Sequence, residues 1–382
     1  MPELPLRVLS ILGTRPEAVK MAPVIERLAR TPEVSSRVCV TAQHRQMLDQ
    51  VLGLFNIRPD YDLDLMRPDQ PLADLSAALF SGLDPVLHDA RPHWVLVQGD
   101  TTTVMAASLL AYYHYARVGH VEAGLRTGDK WQPFPEEIYR RVAGVVADLH
   151  FAPTEWARAN LLREGVPPSQ IVVTGNPVID ALQAVASRPY DWPSGPLAAV
   201  PQDRRLILVT AHRRENFGAP LESIFRALRS LAETYGDRIA IVYPVHLNPH
   251  VQEPAQRMLG DLANVYLLPP LDYLPMVHLI QRAHLVLTDS GGLQEEAPAL
   301  GTPVLVLRRV TERPEALEAG TARLVGTDAE RIVAESRRLL DDPVAHSSMA
   351  RAVNPYGDGH AAERIVTALL EASRDSEVID DR

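Results

Sequence analysis

The chain has 382 residues, a length that suggests two domains. Its hydrophobic fraction of 46% is enough for ordinary buried cores, and its net charge of -10 argues against a general nucleic-acid binder, which would usually be basic. A single cysteine, Cys39, excludes an intrachain disulfide framework and indicates the reducing cytoplasm. The first residues lack the pattern of a secretory signal, and no apolar stretch reaches the roughly 20 residues that span a bilayer, so we expect no membrane partner.

Short apolar runs alternate with amphipathic stretches through the first half of the chain. We predict strands at 8–12, 38–42, 94–98, 119–121, 150–152 and 171–174. We predict helices at 17–29, 72–88, 102–113 and 136–147. This alternation is typical of an α/β fold in which helices cover both faces of a parallel sheet.

The same alternation begins again after a loose, proline-rich segment at 187–204. Here we predict strands at 206–210, 239–244, 265–267, 285–288 and 304–307, and helices at 220–234, 274–282, 293–300 and 329–340. Asn176 and Pro177 look like the crossover between the halves. We therefore expect a first domain at 1–176, a second at 177–358, and a closing segment at 359–382 whose helix packs back on the first domain and ends in a polar tail.

The first chemically informative turn follows the strand at 8–12. Gly13 leads into a helix, which is the usual geometry for holding a phosphate against backbone N–H groups. Arg15 could supply a cationic fork for a diphosphate, and Lys20 lies about one turn further on. Taken alone, the turn favours the alternative in which both are solvated helix charges. The turn is not a GxGxxG fingerprint, and the sequence contains no P-loop.

Three carboxylates of the first half stand at strand ends or at a helix start. Asp100 and Glu122 each follow a predicted strand, where ligand sites of open α/β sheets lie, and Glu136 begins a helix. Acid and base chemistry on a sugar needs such groups with separated pKa values. The structural alternatives are a helix cap for the first, an ion pair with Arg126 for the second and a surface salt bridge with Arg140 for the third.

The second half carries two histidines and a glycine turn at the ends of predicted strands. His212 could be a base, a cation facing phosphate or a structural residue, whereas a lone histidine such as His246 is more often structural. A further strand ends in Ser290, Gly291 and Gly292, where N–H groups can approach a diphosphate because glycine has no Cβ. A tight turn with a helix cap is the alternative.

Two charged residues complete this set. Glu296, about a turn and a half into the following helix, is placed to accept hydrogen bonds from ribose hydroxyls, and Arg313 is a further anion ligand. No acidic or cysteine side chain stands at metal-ligand spacing from the histidines, so the sequence predicts no metal site. The polar loops of the two domains are expected to line one cleft.

Seven runs together resemble one family, the non-hydrolysing UDP-N-acetylglucosamine (UDP-GlcNAc) 2-epimerases. They follow the family's order and spacing between about residue 7 and about residue 370. The runs are GTRPEAVKMAP at 13–23, GDTT at 99–102, HVEAGLR at 120–126, PEE at 135–137, HRREN at 212–216, DSGGLQEEAP at 289–298 and TERPE at 311–315.

The resemblance implies a GT-B fold, two Rossmann-like domains with the active site between them. It implies interconversion of UDP-GlcNAc and UDP-N-acetylmannosamine (UDP-ManNAc) without NAD or a metal. UDP is eliminated to give 2-acetamidoglucal and is added back after a proton returns to the other face of C2. The implied catalytic residues are Asp100, Glu122, Glu136 and His212. The implied substrate-binding residues are Arg15, Lys20, Arg140, His246, Ser290, Gly291, Gly292, Glu296 and Arg313.

The resemblance also implies a homodimer and a second UDP-GlcNAc that activates the enzyme through Gln43 and Gln46. Gln98 departs from the family pattern, which has histidine there, and Met276 stands where an aromatic residue is expected near the uracil. The main alternative is a GT-B glycosyltransferase that uses a UDP-sugar, and a second is a nucleotide-sugar sensor without catalysis. The three carboxylates favour the epimerase over both.

Overall fold

A computed structural model describes residues 5–41, 45–67, 70–311 and 313–374. The chain divides into two compact units. The first comprises the residues up to Ala181 and those from Tyr356 onward, and the second comprises Leu182–Pro355. Within the described ranges, no helix is both long enough and apolar enough to cross a membrane.

The first unit is built on a seven-stranded parallel sheet. Its strands are β1 (Leu6–Leu12), β2 (Val34–Val40), β3 (Tyr61–Asp62), β4 (Trp94–Gln98), β5 (Arg117–Val121), β6 (Leu149–Ala152) and β7 (Ile171–Val173). Their order is β3-β2-β1-β4-β5-β6-β7, so the direction of winding reverses between β1 and β4. Such a switch point opens a crevice at the carboxyl ends of the strands, where ligands of these sheets bind.

Helices alternate with the strands of this sheet. They are α1 (Arg15–Ala29), α2 (Arg45–Leu54), α3 (Leu72–Ala90), α4 (Thr102–Tyr113), α5 (Glu136–Val146), α6 (Glu155–Arg163) and α7 (Pro177–Ala186), which leads into the second unit. The central strand β4 is buried along its whole length, because in this fold helices cover both faces of the sheet.

The second unit repeats the plan with a six-stranded parallel sheet. Its order is β10-β9-β8-β11-β12-β13, the order of the dinucleotide-binding fold. The strands are β8 (Arg205–Thr210), β9 (Ile239–Pro244), β10 (Val265–Leu268), β11 (Ala283–Thr288), β12 (Val304–Val306) and β13 (Ala322–Leu324). The helices are α8 (Ala219–Tyr235), α9 (Pro249–Leu259), α10 (Tyr273–Arg282), α11 (Gly291–Ala299), α12 (Pro314–Glu318), α13 (Ala329–Asp341) and α14 (Pro343–Ala350).

The last helix, α15 (Ala361–Arg374), belongs to the first unit and packs against α1. The Asp180 carboxylate accepts the N–H groups of Ala361 and Ala362 at 3.2 and 2.9 Å. Near the other end of α15, Ser373 accepts a hydrogen bond from the indole N–H of Trp94 at 2.9 Å. The C-terminal helix is therefore anchored at both ends to residues of the first unit.

The predicted pair of parallel-sheet α/β domains is confirmed, and the predicted strands at 94–98 and 239–244 match β4 and β9. Ala42, the last residue of the predicted strand at 38–42, lies outside the described residues. Several elements are not predicted, among them the short strands β3 and β13 and the helix α9. α9 did carry a start signal: Asn248 caps it by accepting the N–H of His250 at 2.9 Å, and Pro249 is its first residue.

One glycine in the middle of the first sheet is required by packing. A Cβ placed on Gly119 in β5 would lie 2.5 Å from Leu96 Cδ2 and 3.1 Å from Phe151 Cε2. Both neighbours are fully buried, so neither can swing away into solvent.

We therefore expect Gly119→Ala to lower the free energy of unfolding by about 1–3 kcal/mol through overpacking, measured by urea denaturation. Gly53→Ala in α2 is the matched control, because a Cβ there meets no atom within 4 Å. In a helix the added methyl group is expected to raise stability by about 0.5–1 kcal/mol. Equal stability of the two variants would contradict the packing argument.

Candidate functional site

The turn after β1 is closed by a buried carboxylate. Thr14 caps α1 by accepting the N–H of Glu17. The Glu17 carboxylate in turn accepts the N–H groups of Gly13 (2.9 Å) and Thr14 (2.5 Å) and the hydroxyl of Thr101 (2.7 Å), and burial raises its pKa. The idea that the N–H groups of this turn hold a phosphate is therefore wrong. Arg15, half-buried at the start of α1, remains the candidate anion ligand of this turn.

Glu122, just after β5, is surrounded by donors from three other segments. Lys20 Nζ on α1 lies 2.7 Å from each carboxylate oxygen. The Gln98 amide, at the end of β4, donates to Oε2, and Asn176 Nδ2 donates to Oε1 at 2.9 Å. The Glu122 side chain is only 5% exposed, so these donors take the place of the water that would hydrate an exposed carboxylate.

The backbone at Glu122 is also unusual. Its φ of 63° lies in the left-handed region, which residues with a Cβ rarely adopt. Such conformations persist where the surroundings over-determine them, and they cluster at functional sites. The hydrogen bonds to the carboxylate are the contacts that hold this residue in place.

The predicted ion pair between Glu122 and Arg126 is wrong. Arg126 Nε and Nη2 instead donate to the two carboxylate oxygens of Glu164, each at 2.8 Å. Glu122 takes Lys20 as its cation, although the two are 102 positions apart in the chain. Only the fold brings α1 beside the end of β5.

Asp100, just after β4, is paired with a cation of its own. Arg140 on α5 donates through Nε at 2.8 Å to Asp100 Oδ2, and its Nη2 lies 2.6 Å from the same oxygen. The fully buried Glu137 accepts from Arg140 at 3.3 Å and from the N–H of Thr127 at 3.1 Å. The predicted salt bridge of Arg140 with Glu136 is therefore wrong, because Asp100 and Glu137 take up the guanidinium.

Two further observations concern the surroundings of Asp100 and Glu136. Thr101 caps α4 by accepting the N–H of Val104 at 3.3 Å, so the alternative in which Asp100 is the cap is also wrong. Glu136 Oε2 is buried and, among the described residues, has no hydrogen-bond partner. Glu136 therefore differs from Asp100 and Glu122, because no cation is paired with it among the described residues.

Two buried histidines occupy paired positions on β5 and β6. His120 Nε2 lies 2.7 Å from the carbonyl oxygen of Gly99, so Nε2 carries the proton, because a carbonyl can only accept. The Nδ1 atoms of His120 and His150 are buried and have no hydrogen bond within the described ranges. Burial lowers the pKa of each to about 4. His120 is thus a neutral donor that fixes the carbonyl preceding Asp100.

In the second unit, Asp289 at the end of β11 organises the loop after β8. Its Oδ2 accepts the N–H groups of His212 and Arg213, each at 2.9 Å, and Nδ2 of Asn216 at 3.0 Å. The ring of His212 stacks on that of His246, with centroids 5.5 Å apart. Burial lowers the pKa of His212.

The predicted glycine turn follows directly. Ser290 precedes α11, and its side chain does not cap the helix, so the first N–H groups of Gly291 and Gly292 are not satisfied by a cap. A Cβ on Gly291 would lie 3.7 Å from Arg313 Nη2 and 4.0 Å from Arg213 Nη2. The positive end of a helix and two guanidinium groups therefore meet at one place, which is a site for an anion.

Two neighbouring glutamates of α11 support this anion site. The buried Glu295 accepts from Arg313 Nε and so fixes the guanidinium. Glu296 accepts from the Tyr273 hydroxyl at 2.9 Å, and its Oε2 lies 3.7 Å from the position of a Cβ on Gly292. The carboxylate predicted to bind ribose thus stands beside the glycine turn.

Within each unit the structure pairs some of the predicted residues, Lys20 with Glu122, Asp100 with Arg140 and His212 with His246. It also gives them partners that sequence reasoning missed. The missed residues are Gln98, Asn176, Glu137, Asp289, Arg213 and Tyr273. Arg213 and Asp289 each adjoin a predicted site residue, whereas nothing in the local sequence marks Tyr273 or Asn176 as partners of a carboxylate. Gln43 and the side chain of Gln46 lie outside the described residues.

The family model for UDP-N-acetylglucosamine 2-epimerase matches residues 26–370. The UDP-N-acetylglucosamine 2-epimerase of Escherichia coli O157:H7 is 55% identical over 370 residues, which are 95% of this chain and 98% of that protein. The protein of the same name from Bacillus subtilis (strain 168) is 52% identical over 365 residues, 96% of this chain and 95% of that protein.

Solved structures agree with these matches. The UDP-GlcNAc 2-epimerase from Neisseria meningitidis, bound to UDP-GlcNAc, has a TM-score of 0.87 and 47% identity over 96% of this chain and 100% of that chain. The glycosyltransferase SnogD from Streptomyces nogalater has a TM-score of 0.59 over 97% of this chain and 99% of that chain. Its identity is 16%, so that likeness shows the fold alone. The predicted GT-B class, two Rossmann-like units, is confirmed.

The buried histidines predict a loss of stability on acidification. Their folded pKa of about 4 lies below the ordinary 6.5, so between these values the unfolded chain binds more protons. Each histidine should therefore lower the free energy of unfolding by up to about 1.4 kcal/mol per pH unit as the pH falls through this window. We expect His150→Gln to flatten the dependence measured by urea unfolding. An unchanged slope in that variant would contradict a buried, neutral His150.

Proposed function

Because the chain belongs to the UDP-N-acetylglucosamine 2-epimerase family, we propose that it interconverts UDP-GlcNAc and UDP-ManNAc by inverting C2 of the sugar. The observation that carries the proposed reaction is the set of three carboxylates in the first unit. Asp100 is paired with Arg140 and Glu122 with Lys20, while Glu136 keeps an oxygen without a donor. Inversion at one carbon needs proton transfer on two faces, and a set of carboxylates in different environments can supply it.

The proposed reaction is an elimination followed by its reversal. A carboxylate takes the proton from C2, the C1–O bond to UDP breaks, and a C1–C2 double bond forms to give 2-acetamidoglucal. A second acid returns a proton to the opposite face of C2, and a phosphate oxygen of UDP bonds to C1 again. The three site carboxylates supply these two proton-transfer groups.

The departing UDP needs positive charge at its diphosphate. We assign this role to the N–H groups of Gly291 and Gly292 at the start of α11 and to Arg313 beside them. The predicted use of the Ser290 N–H is wrong, because this group donates to Thr288 Oγ1 at 2.9 Å. Glu296 is proposed to accept from the ribose hydroxyls. The remaining proposed substrate ligands are Arg15, Lys20, Arg140, His212 and His246.

Lys20 and Arg140 take a double role in this proposal. Each is already the counter-ion of a catalytic carboxylate, so each can orient that carboxylate while it also meets the substrate. A glycosyltransferase would share the phosphate site but would not need a proton acceptor and a proton donor for C2. This requirement favours the epimerase over the glycosyltransferase.

We further propose that the enzyme works as a homodimer in the cytoplasm and that a second UDP-GlcNAc activates it through Gln43 and Gln46. These proposals rest on the family pattern. Light scattering on the purified chain tests the dimer, and initial rates measured over a range of UDP-GlcNAc concentrations test the activator, which would give a sigmoidal curve.

We expect the protein, incubated with UDP-GlcNAc in D2O, to yield UDP-ManNAc and to place deuterium at C2 of the recovered substrate, as read by NMR and mass spectrometry. Asp100→Asn and Glu122→Gln should each lower the exchange rate by at least ~10²-fold while UDP still binds. Glu26→Gln is the matched control, since Glu26 lies on α1 in an exposed pair with Arg30.

Absence of hydrogen–deuterium exchange at C2 in the unaltered protein would refute the proposed reaction. Free N-acetylmannosamine and UDP as the only products would indicate hydrolysis instead. Normal turnover in either amide variant would remove that residue from the catalytic set.

A further inference from the structure

One carboxylate oxygen of Asp289 lacks a hydrogen-bond donor among the described residues. Its side chain is fully buried, and Oδ2 alone accepts three N–H donors, from His212, Arg213 and Asn216. The other oxygen, Oδ1, is buried too and has no hydrogen bond among the described residues. A buried carboxylate oxygen without a donor is destabilising unless a nearby group compensates its charge.

The group facing that oxygen is the imidazole of His212. Its Nδ1 lies 3.7 Å from Asp289 Oδ1, beyond a hydrogen bond but within reach of a small rotation of the ring. If Nδ1 carried a lone pair, two acceptors would face each other in a buried place. The geometry therefore favours the forms of His212 that carry a proton on Nδ1, and it leaves Nε2 for the exposed side of a side chain that is 40% exposed.

We propose that Asp289 is a positioning residue for His212, holding the imidazole by Nδ1 so that the ring becomes a cation when the diphosphate of the nucleotide binds at Nε2. This inference rests on the proposed function and deepens it, because it names the residue that controls the charge of His212. The neutral ring with its proton on Nδ1 would turn a lone pair toward the phosphate. The cation, between Asp289 and the diphosphate, meets an acceptor on each side.

The groups around His212 act on its pKa in opposite directions. Burial, the stacked His246 and the neighbouring Arg213 lower its pKa, and only Asp289 among the causes acting on it raises the pKa. Tyr243, which also stands close to Asp289, is engaged through its hydroxyl with the carbonyl oxygen of Ala211. A bound diphosphate adds a second anion, so protonation of His212 and binding of the nucleotide favour each other.

The amide variant of Asp289 reverses this arrangement with little change of shape. In Asp289→Asn, the amide oxygen must take the place of Oδ2, because three N–H donors meet there. The amide NH2 then points at His212 Nδ1, which must accept, and Nε2 carries the proton of a neutral ring. The loop stays anchored, but the ring no longer needs to gain a proton when phosphate binds.

The experiment is isothermal titration calorimetry with UDP-GlcNAc at pH 7.5 in buffers of different ionisation enthalpy, which counts the protons taken up on binding. We expect uptake of up to about one proton by the unaltered chain and almost none by Asp289→Asn or His212→Asn. In Asp289→Asn we also expect kcat to fall by ~10²-fold, with a smaller loss of affinity. Asn216→Ala is the control. It removes a donor from Oδ2 but leaves Oδ1, the oxygen that faces the imidazole, unchanged, so it should keep the proton uptake.

Binding without proton uptake in the unaltered chain would overturn the proposal, as would unchanged uptake in Asp289→Asn. Uptake that survives in His212→Asn would place the proton on another group, such as His246, and would also overturn it. Equal loss of uptake in Asn216→Ala would assign the effect to the loop and not to the carboxylate. A chain that binds UDP-GlcNAc with the expected uptake but does not epimerise it would refute the proposed function and leave this inference standing.

Discussion

A carboxylate buried at the end of a central strand must be given donors, and this constraint organises both halves of the protein. In the first unit Glu122 draws Lys20, Gln98 and Asn176 to one point, and so ties together α1, β4, β5 and the start of α7. The donors come from segments that no local pattern joins. Because an ionised group cannot stay buried without them, the fold around the end of β5 depends on this arrangement.

The second unit meets the same constraint with a different result. Asp289 stands at the end of β11, next to the switch point of its sheet, and uses one oxygen to fix the loop that carries His212 and Arg213. That loop brings a guanidinium close to Gly291, where the start of α11 already presents its positive end. Buried negative charge thus holds the side chains that would bind the negative charge of a nucleotide.

The two sheets share a plan but differ in what their strand ends carry. In the first, Glu122 and Asp100 are each paired with a cation, whereas Glu136 has a buried oxygen without a hydrogen bond among the described residues. In the second, the main features are a glycine turn and arginines held by glutamate. The strand ends of the two units therefore differ in character, with carboxylate–cation pairs in the first and an anion site in the second.

The sequence by itself determined the two α/β units, most strand positions and the residues of the candidate site, because hydrophobic periodicity and turn chemistry are local properties of the chain. It also located Asp100, Glu122 and the glycine turn, since ligand groups of these folds follow strands. The sequence did not determine which side chains pair with these charged residues. Arg126 and Arg140 are predicted to pair with the acidic residues four positions before them, whereas the structure pairs Arg126 with Glu164 and Arg140 with Asp100 and Glu137. Ion pairs form between side chains that are close in space, and only the packing of helices on the sheets decided which ones those are.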